Sequence, residues 1–230
     1  MTALLRILIL CLLLASCAPA PCWQQEQELR ELLPDTEIAL TDIPAPVAAE
    51  IVRAFRDAKA AYPAAVSHIK EIKTDYAISR KSSFPLAYFA LTHTAGWQPY
   101  NTILFNDALL QSLGSVRAQY KTAEWLGWHV PVPRNTEMYA ITLHELAHVL
   151  IANTLLHNDT EIIKLYQLYK MQAAEGLEWA SNANLNIWEF VAESFVDSLC
   201  NRGKAAGVSK TVMERIQQKI GVPNGRQDNP

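Results

Sequence analysis

The sequence has no surplus of basic residues: 20 Lys and Arg stand against 23 Asp and Glu, a formal net charge of −3. A nucleic-acid surface needs a basic patch or stripe, so that class of partner is not expected. Glycine and proline are modest at 8 and 12 of 230 residues, and no repeat or low-complexity tract appears. An ordinary globular chain of one or two domains remains. Cysteine is scarce as well. Its four copies, Cys11, Cys17, Cys22 and Cys200, include no C-x-x-C pair, which argues against a zinc site built from thiolates.

The beginning differs in kind from the rest. "MTALLRILILCLLLASCAPA" has a short n-region with Arg6, an apolar core from Leu8 to Leu14, and then small residues. It is too short for a comfortable membrane span and reads as a signal peptide. Leu14, Ala15, Ser16 and Cys17 resemble the lipobox of bacterial lipoproteins. The resemblance implies removal of residues 1–16, diacylation of the Cys17 sulfur, and a mature chain held at a membrane by two or more acyl chains. Ala18 in place of Asp after that cysteine implies, by likeness to Gram-negative lipoproteins, the outer membrane, facing the periplasm or the cell surface. Ordinary secretion, with Cys17 merely near the cut, is the alternative. Once Cys11 is removed and Cys17 acylated, Cys22 and Cys200 could form a disulfide in an oxidising compartment.

Periodicity gives a coarse order of elements. "QQEQELRELL" reads as a first helix, and "APVAAEIVRAFRDAKAAY" as an amphipathic second one between Pro46 and Pro63. "VSHIKEIKTDYAI", "LAYFALTH" and "NTILFND" read as strands, the last followed by a helix "ALLQSLG" that stops at Gly114. Residues 115–135 have no clean period; they form either a rim above a cleft or an aromatic cluster in the core. From about 135 onward the pattern is helical, in segments at about 135–154, 159–180, 186–201 and 208–220. The expected fold is α+β, a small antiparallel sheet packed on one buried helix and followed by a helical C-terminal half. Its expected parts are the signal at 1–16, a lipidated tether with the first helix at 17–40, and one domain at 41–230.

The buried helix carries the chemistry. Residues 141–153 read "ITLHELAHVLIAN", an apolar run interrupted by His144, Glu145 and His148. Residues four apart share a helix face, so the two imidazoles can close on one ion. Glu145 stands about a hundred degrees round, placed to hold a water beside that ion. The pattern is H-E-x-x-H. Met138, Ile141, Leu143, Leu146, Val149, Leu150 and Ile151 surround it, and polar groups on so apolar a helix cost several kcal/mol unless paired. Two core histidines with other partners are the bland reading. A metal satisfies both imidazoles at once.

Catalytic zinc typically takes three protein ligands and leaves the fourth position open. A metzincin would continue with Gly and His where this chain has Ile151 and Thr154, so that class is excluded. "NIWEFVAESFVDSLC" offers Glu189 and Glu193, four apart on a helix otherwise built from Trp188, Phe190, Val191, Phe195, Val196 and Leu199. Glu189 on the metal, with Glu193 accepting a hydrogen bond from a ligand histidine, would satisfy both carboxylates. Carboxylates that merely face water are the alternative.

H-E-L-A-H followed about forty residues later by E-F-V-A-E-S-F resembles the gluzincin metallopeptidases, particularly the compact type of the anthrax lethal factor catalytic domain. The resemblance implies a zincin-like fold and one Zn2+ held by His144, His148 and Glu189. It also implies Glu145 as general base, Glu193 behind a ligand histidine, and "TILFN" as the edge strand that aligns an extended polypeptide substrate. The lethal-factor type has a tyrosine one heptad before the ligand glutamate; here that position is Asn182. Tyr166, Tyr169 or His157, each read first as a surface or core residue, could hold the oxyanion instead, or it is held differently. The expected function is a zinc-dependent endopeptidase of the bacterial cell envelope. Its rivals are a zinc-binding lipoprotein without turnover, acting as a binding or assembly module, and an envelope scaffold with no metal. Glu145 counts against the first, since a mere metal holder has no use for that carboxylate; zinc content after chelator-free purification separates the second from both other readings.

Overall fold

The computed structural model describes residues 22–40, 42–74, 87–93, 99–177 and 179–221, with backbone only at 87–93 and 99–101. The signal segment and Cys17 lie outside the described residues. Helix α1 (Trp23–Leu32) leads into strand β1 (Glu37–Ala39), and α2 (Ala45–Ala61) follows. Val47, Ile51, Val52, Phe55 and Ala58 recur at helical spacing along α2 and are buried. Pro63 disfavours helical dihedrals at Tyr62, whose φ of −140° and ψ of 74° end the helix.

Strands β2 (Glu71–Thr74), β3 (Ala87–His93) and β4 (Pro99–Phe105) complete a four-stranded sheet in the order β1-β2-β4-β3. The expected antiparallel sheet is not what forms: β1, β2 and β4 are mutually parallel, and only β3 runs antiparallel, against β4. Alternation of side chains defines faces but carries no direction, whereas α2 between β1 and β2 supplies the helical crossover that parallel neighbours need. Ile38, Ile72 and Ile103 stand in register across the three parallel strands and are buried. Strand β4, which contains "TILF", is interior, so the edge-strand expectation for it is corrected. Among the described residues, the edge on that side is β3. Of the long stretch expected as strand at 66–78, Glu71–Thr74 pairs in the sheet and residues 66–68 turn instead; 75–78 lie outside the described residues.

A second correction concerns "ALLQSLG", which is not a helix. Helix α3 (Leu113–Trp125) starts where that one was to stop, because Ser112 and Ser115 form a reciprocal cap with N–H···Oγ distances of 3.0 Å each. The helical half contains α4 (Glu137–Thr154), α5 (Thr160–Ala174), α6 (Ser181–Leu185), α7 (Ile187–Asn201) and α8 (Gly207–Ile220). Helix α4 is buried on nearly every side and packs against α2, α7 and β3. Asp159 caps α5 and receives both Arg215 Nε and a second guanidinium nitrogen at 2.9 and 2.8 Å, tying α5 to α8. Those bonds hold its carboxyl at a pKa of about 2. No described helix is long and apolar enough to cross a membrane.

The N-terminal segment is more than a tether. Leu29, Leu33, Ile38 and Leu40 belong to the core, and β1 is a strand of the sheet. Cys22 and Cys200, which could have paired, are not bridged, both thiols being free. Cys22 is buried and donates to the Leu40 carbonyl at 2.8 Å, an acceptor supplied by the local chain reversal from α1 through β1.

Candidate metal centre

Two helices build the site. Four-residue spacing on α4 places His144 and His148 one turn apart, with ring centroids 4.8 Å from each other. Asn186 caps α7 by accepting the Trp188 and Glu189 N–H groups at 2.9 and 3.0 Å, so Glu189 sits in the first turn where α7 meets α4. His144 Nε2 lies 3.1 Å from Glu189 Oε2, His148 Nε2 lies 3.5 Å from Glu189 Oε1, and the two Nε2 atoms are 3.2 Å apart. With bonds of about 2.0–2.1 Å, a tetrahedral zinc separates its ligand atoms by about 3.3–3.4 Å. The three groups lie near those separations, with one Glu189 oxygen facing each imidazole nitrogen, and could hold one metal ion. Their side chains are 12, 13 and 23 % exposed, which leaves an approach from solvent.

The charge balance points the same way. Burial alone lowers the pKa of His144, but hydrogen bonds to Glu189 and Glu193 outweigh it and raise it well above the usual histidine value. Burial, then the charge on His144, depresses His148 to about 4. Burial works against ionisation of Glu189, yet its bond to His144 keeps it below the usual carboxylate range. The two carboxylates favour positive charge on His144. A divalent cation would answer the same excess of negative charge.

Glu193 lies one turn beyond Glu189 and is 1 % exposed. Burial opposes its charge too, but pairing with His129 and then His144 leaves its pKa far below the usual value. Its Oε1 is 2.6 Å from His129 Nδ1 and 3.2 Å from His144 Nδ1, while its Oε2 accepts the Val130 N–H at 3.0 Å. The His144 contact is close but off the line of a good hydrogen bond. His129, His144 and Glu193 also form a group that could hold a metal. The 2.6 Å separation is far shorter than a tetrahedral edge and is that of a charge-assisted hydrogen bond, so the first group, on Glu189, is the better metal site. An ionised carboxylate only accepts, which assigns a proton to His129 Nδ1; with an ion on the first group, the same acceptor would favour the His144 proton on Nδ1 and leave the Nε2 lone pair for the ion.

Glu145 follows His144 about 100° round α4 and is 6 % exposed. The three oxyanion candidates stand in bracing and stacking positions. Tyr169 donates its hydroxyl to the Ala180 carbonyl at 2.5 Å and Tyr166 donates to the Asn184 carbonyl at 3.2 Å, so both brace the chain around α6. His157 stacks on Trp188 at 4.8 Å, and the Trp188 ring lies 6.4 Å from that of His148. It borders the cluster through that indole. His129 is the residue that sequence reasoning missed. It falls in the aperiodic stretch 115–135, where no spacing marks it. Tyr120 stacks on its ring at 5.4 Å, and the Asn182 side-chain nitrogen is 3.4 Å from its Nδ1.

Compared with known proteins, the chain matches no family model, no curated protein and no solved structure.

Proposed function

We propose that this chain is a zinc-dependent peptidase with its metal on His144, His148 and Glu189 and with Glu145 as general base. The observation that carries the reading is the convergence of those three partly exposed side chains at 3.1–3.5 Å from one another. Two imidazoles and one carboxylate are a donor set suited to catalytic zinc. Bound there, zinc supplies a Lewis acid that lowers the pKa of water toward about 7 and polarises a carbonyl. The chain supplies the proton transfers: Glu145 takes the proton of the attacking water and delivers it to the leaving nitrogen. Glu193, 3.2 Å from His144 Nδ1, would favour the tautomer that leaves Nε2 to the ion. A zincin-like fold is supported by the antiparallel edge strand β3 packed against α4. An extended polypeptide adding a strand to that edge would run beside the site.

Purification in chelator-free buffer is expected to give one zinc per chain, with peptide cleavage that a chelator abolishes and added zinc restores. A chain that retains no zinc sinks the reading; zinc without cleavage across broad peptide libraries replaces it with a binding module. Attachment to the bacterial envelope through Cys17 is part of the same proposal, resting on "LASC" after an apolar core. Fatty-acid labelling should be lost in Cys17→Ser, and an unlabelled wild type removes the anchor.

A further inference from the structure

We infer that His129 is a positioning residue of the metal centre, acting through Glu193 on the orientation of His144. The inference rests on the zinc reading above and adds a residue outside both metal-site helices.

His129 belongs to a strap that crosses from α3 to α4. Gly127 turns the chain out of α3 at a φ of 75°, a conformation that favours glycine. The strap is then tied down on several sides. Ser181 and Asn182 donate their N–H groups to the Gly127 and Trp128 carbonyls at 2.7 and 3.2 Å. The Tyr120 hydroxyl donates to the Val130 carbonyl at 2.9 Å, and Asn201 donates to the Pro131 carbonyl at 2.8 Å. Backbone and side chain of the strap therefore reach Glu193 from a fixed frame.

A glutamate carboxylate rotates freely about its last torsion unless both oxygens are held. Here the Val130 N–H holds Oε2 and the His129 Nδ1–H holds Oε1. The two donors fix the carboxylate plane and leave Oε1 3.2 Å from His144 Nδ1. His144 contributes its other nitrogen to the metal group, so this contact, close though off the line of a good hydrogen bond, is where the strap bears on a ligand ring. Removing the His129 donor frees the carboxylate to turn away from His144. Partners of this kind, one step behind a ligand, change metal affinity by about 10- to 100-fold.

Zinc affinity of the full chain, read by chelator competition, tests the inference without using activity. In His129→Asn the amide nitrogen stands near the Nδ1 position and keeps the donor to Glu193. In His129→Gln it stands near Nε2 and does not. Both variants lose the stacking on Tyr120 equally, so that contact is controlled. His129→Gln is expected to bind zinc about 10- to 100-fold more weakly than wild type, and His129→Asn close to wild type. Combined with Glu193→Ala, His129→Gln should add no further loss, because His129 acts only through that carboxylate. Equal affinities of the Asn and Gln variants, or additive losses in the double variant, overturn the inference. A wild-type chain that binds no zinc defeats the proposed function itself, whereas tight wild-type binding with an indifferent His129→Gln defeats only this step.

Discussion

Glu145→Gln is expected to keep one zinc per chain and lose peptide hydrolysis by at least about a hundredfold, the scale of a general base. Gln matches Glu in shape and fits the same nearly buried position on α4, so packing changes little. What disappears is the ability to accept the proton of the attacking water. Because the proposed metal ligands are His144, His148 and Glu189, the zinc content of the variant should match wild type. Equal hydrolysis by the variant, on any peptide the wild type cleaves, rules out Glu145 as the base. Loss of zinc along with activity would instead assign Glu145 to the metal's support.

Glu189→Ala should have the largest effect on the metal. It removes a carboxylate that faces both Nε2 atoms, at 3.1 and 3.5 Å. Two imidazoles 3.2 Å apart remain, with no third donor from α7. Such a site should give up zinc to a mild chelator and lose turnover with it, since catalytic zinc typically needs three protein ligands. Glu193→Ala is the control for register: still a carboxylate lost from α7, but one that touches His144 only at Nδ1. It should weaken zinc by about 10- to 100-fold without abolishing it. If Glu193→Ala sheds the metal and Glu189→Ala keeps it, the metal lies in the His129, His144 and Glu193 group instead. Unchanged affinity in both variants places the third ligand elsewhere.

The legible part of this molecule is the part written in local spacing. His144 and His148 four apart, and Glu189 and Glu193 four apart, each share a helix face whatever the rest of the chain does, because the α-helix repeats every 3.6 residues. The apolar residues around both pairs announce that those faces are buried. From that, the meeting of the two helices follows as an expectation, and the structure brings His144, His148 and Glu189 together. The helical C-terminal half was legible for the same reason, as was the amphipathic α2 between its two prolines.

What needed the tertiary structure has no local period. Strand direction in the sheet depends on how the crossovers run, so β1, β2 and β4 came out parallel and "TILF" moved from edge to interior. The start of α3 depended on a serine pair that apolar periodicity does not register. Tyr166 and Tyr169 looked available because a sequence shows hydroxyls but not the Ala180 and Asn184 carbonyls that accept from them. His129 stands 64 residues before Glu193, and only the packing of the strap over α7 brings the two to 2.6 Å. By itself, the sequence determined which residues share a helix face and that those faces would be buried, since both follow from backbone geometry and the hydrophobic effect. Only the tertiary structure decided which distant groups answer the buried charges of Glu189 and Glu193, because a buried carboxylate requires partners yet does not specify where in the chain they come from.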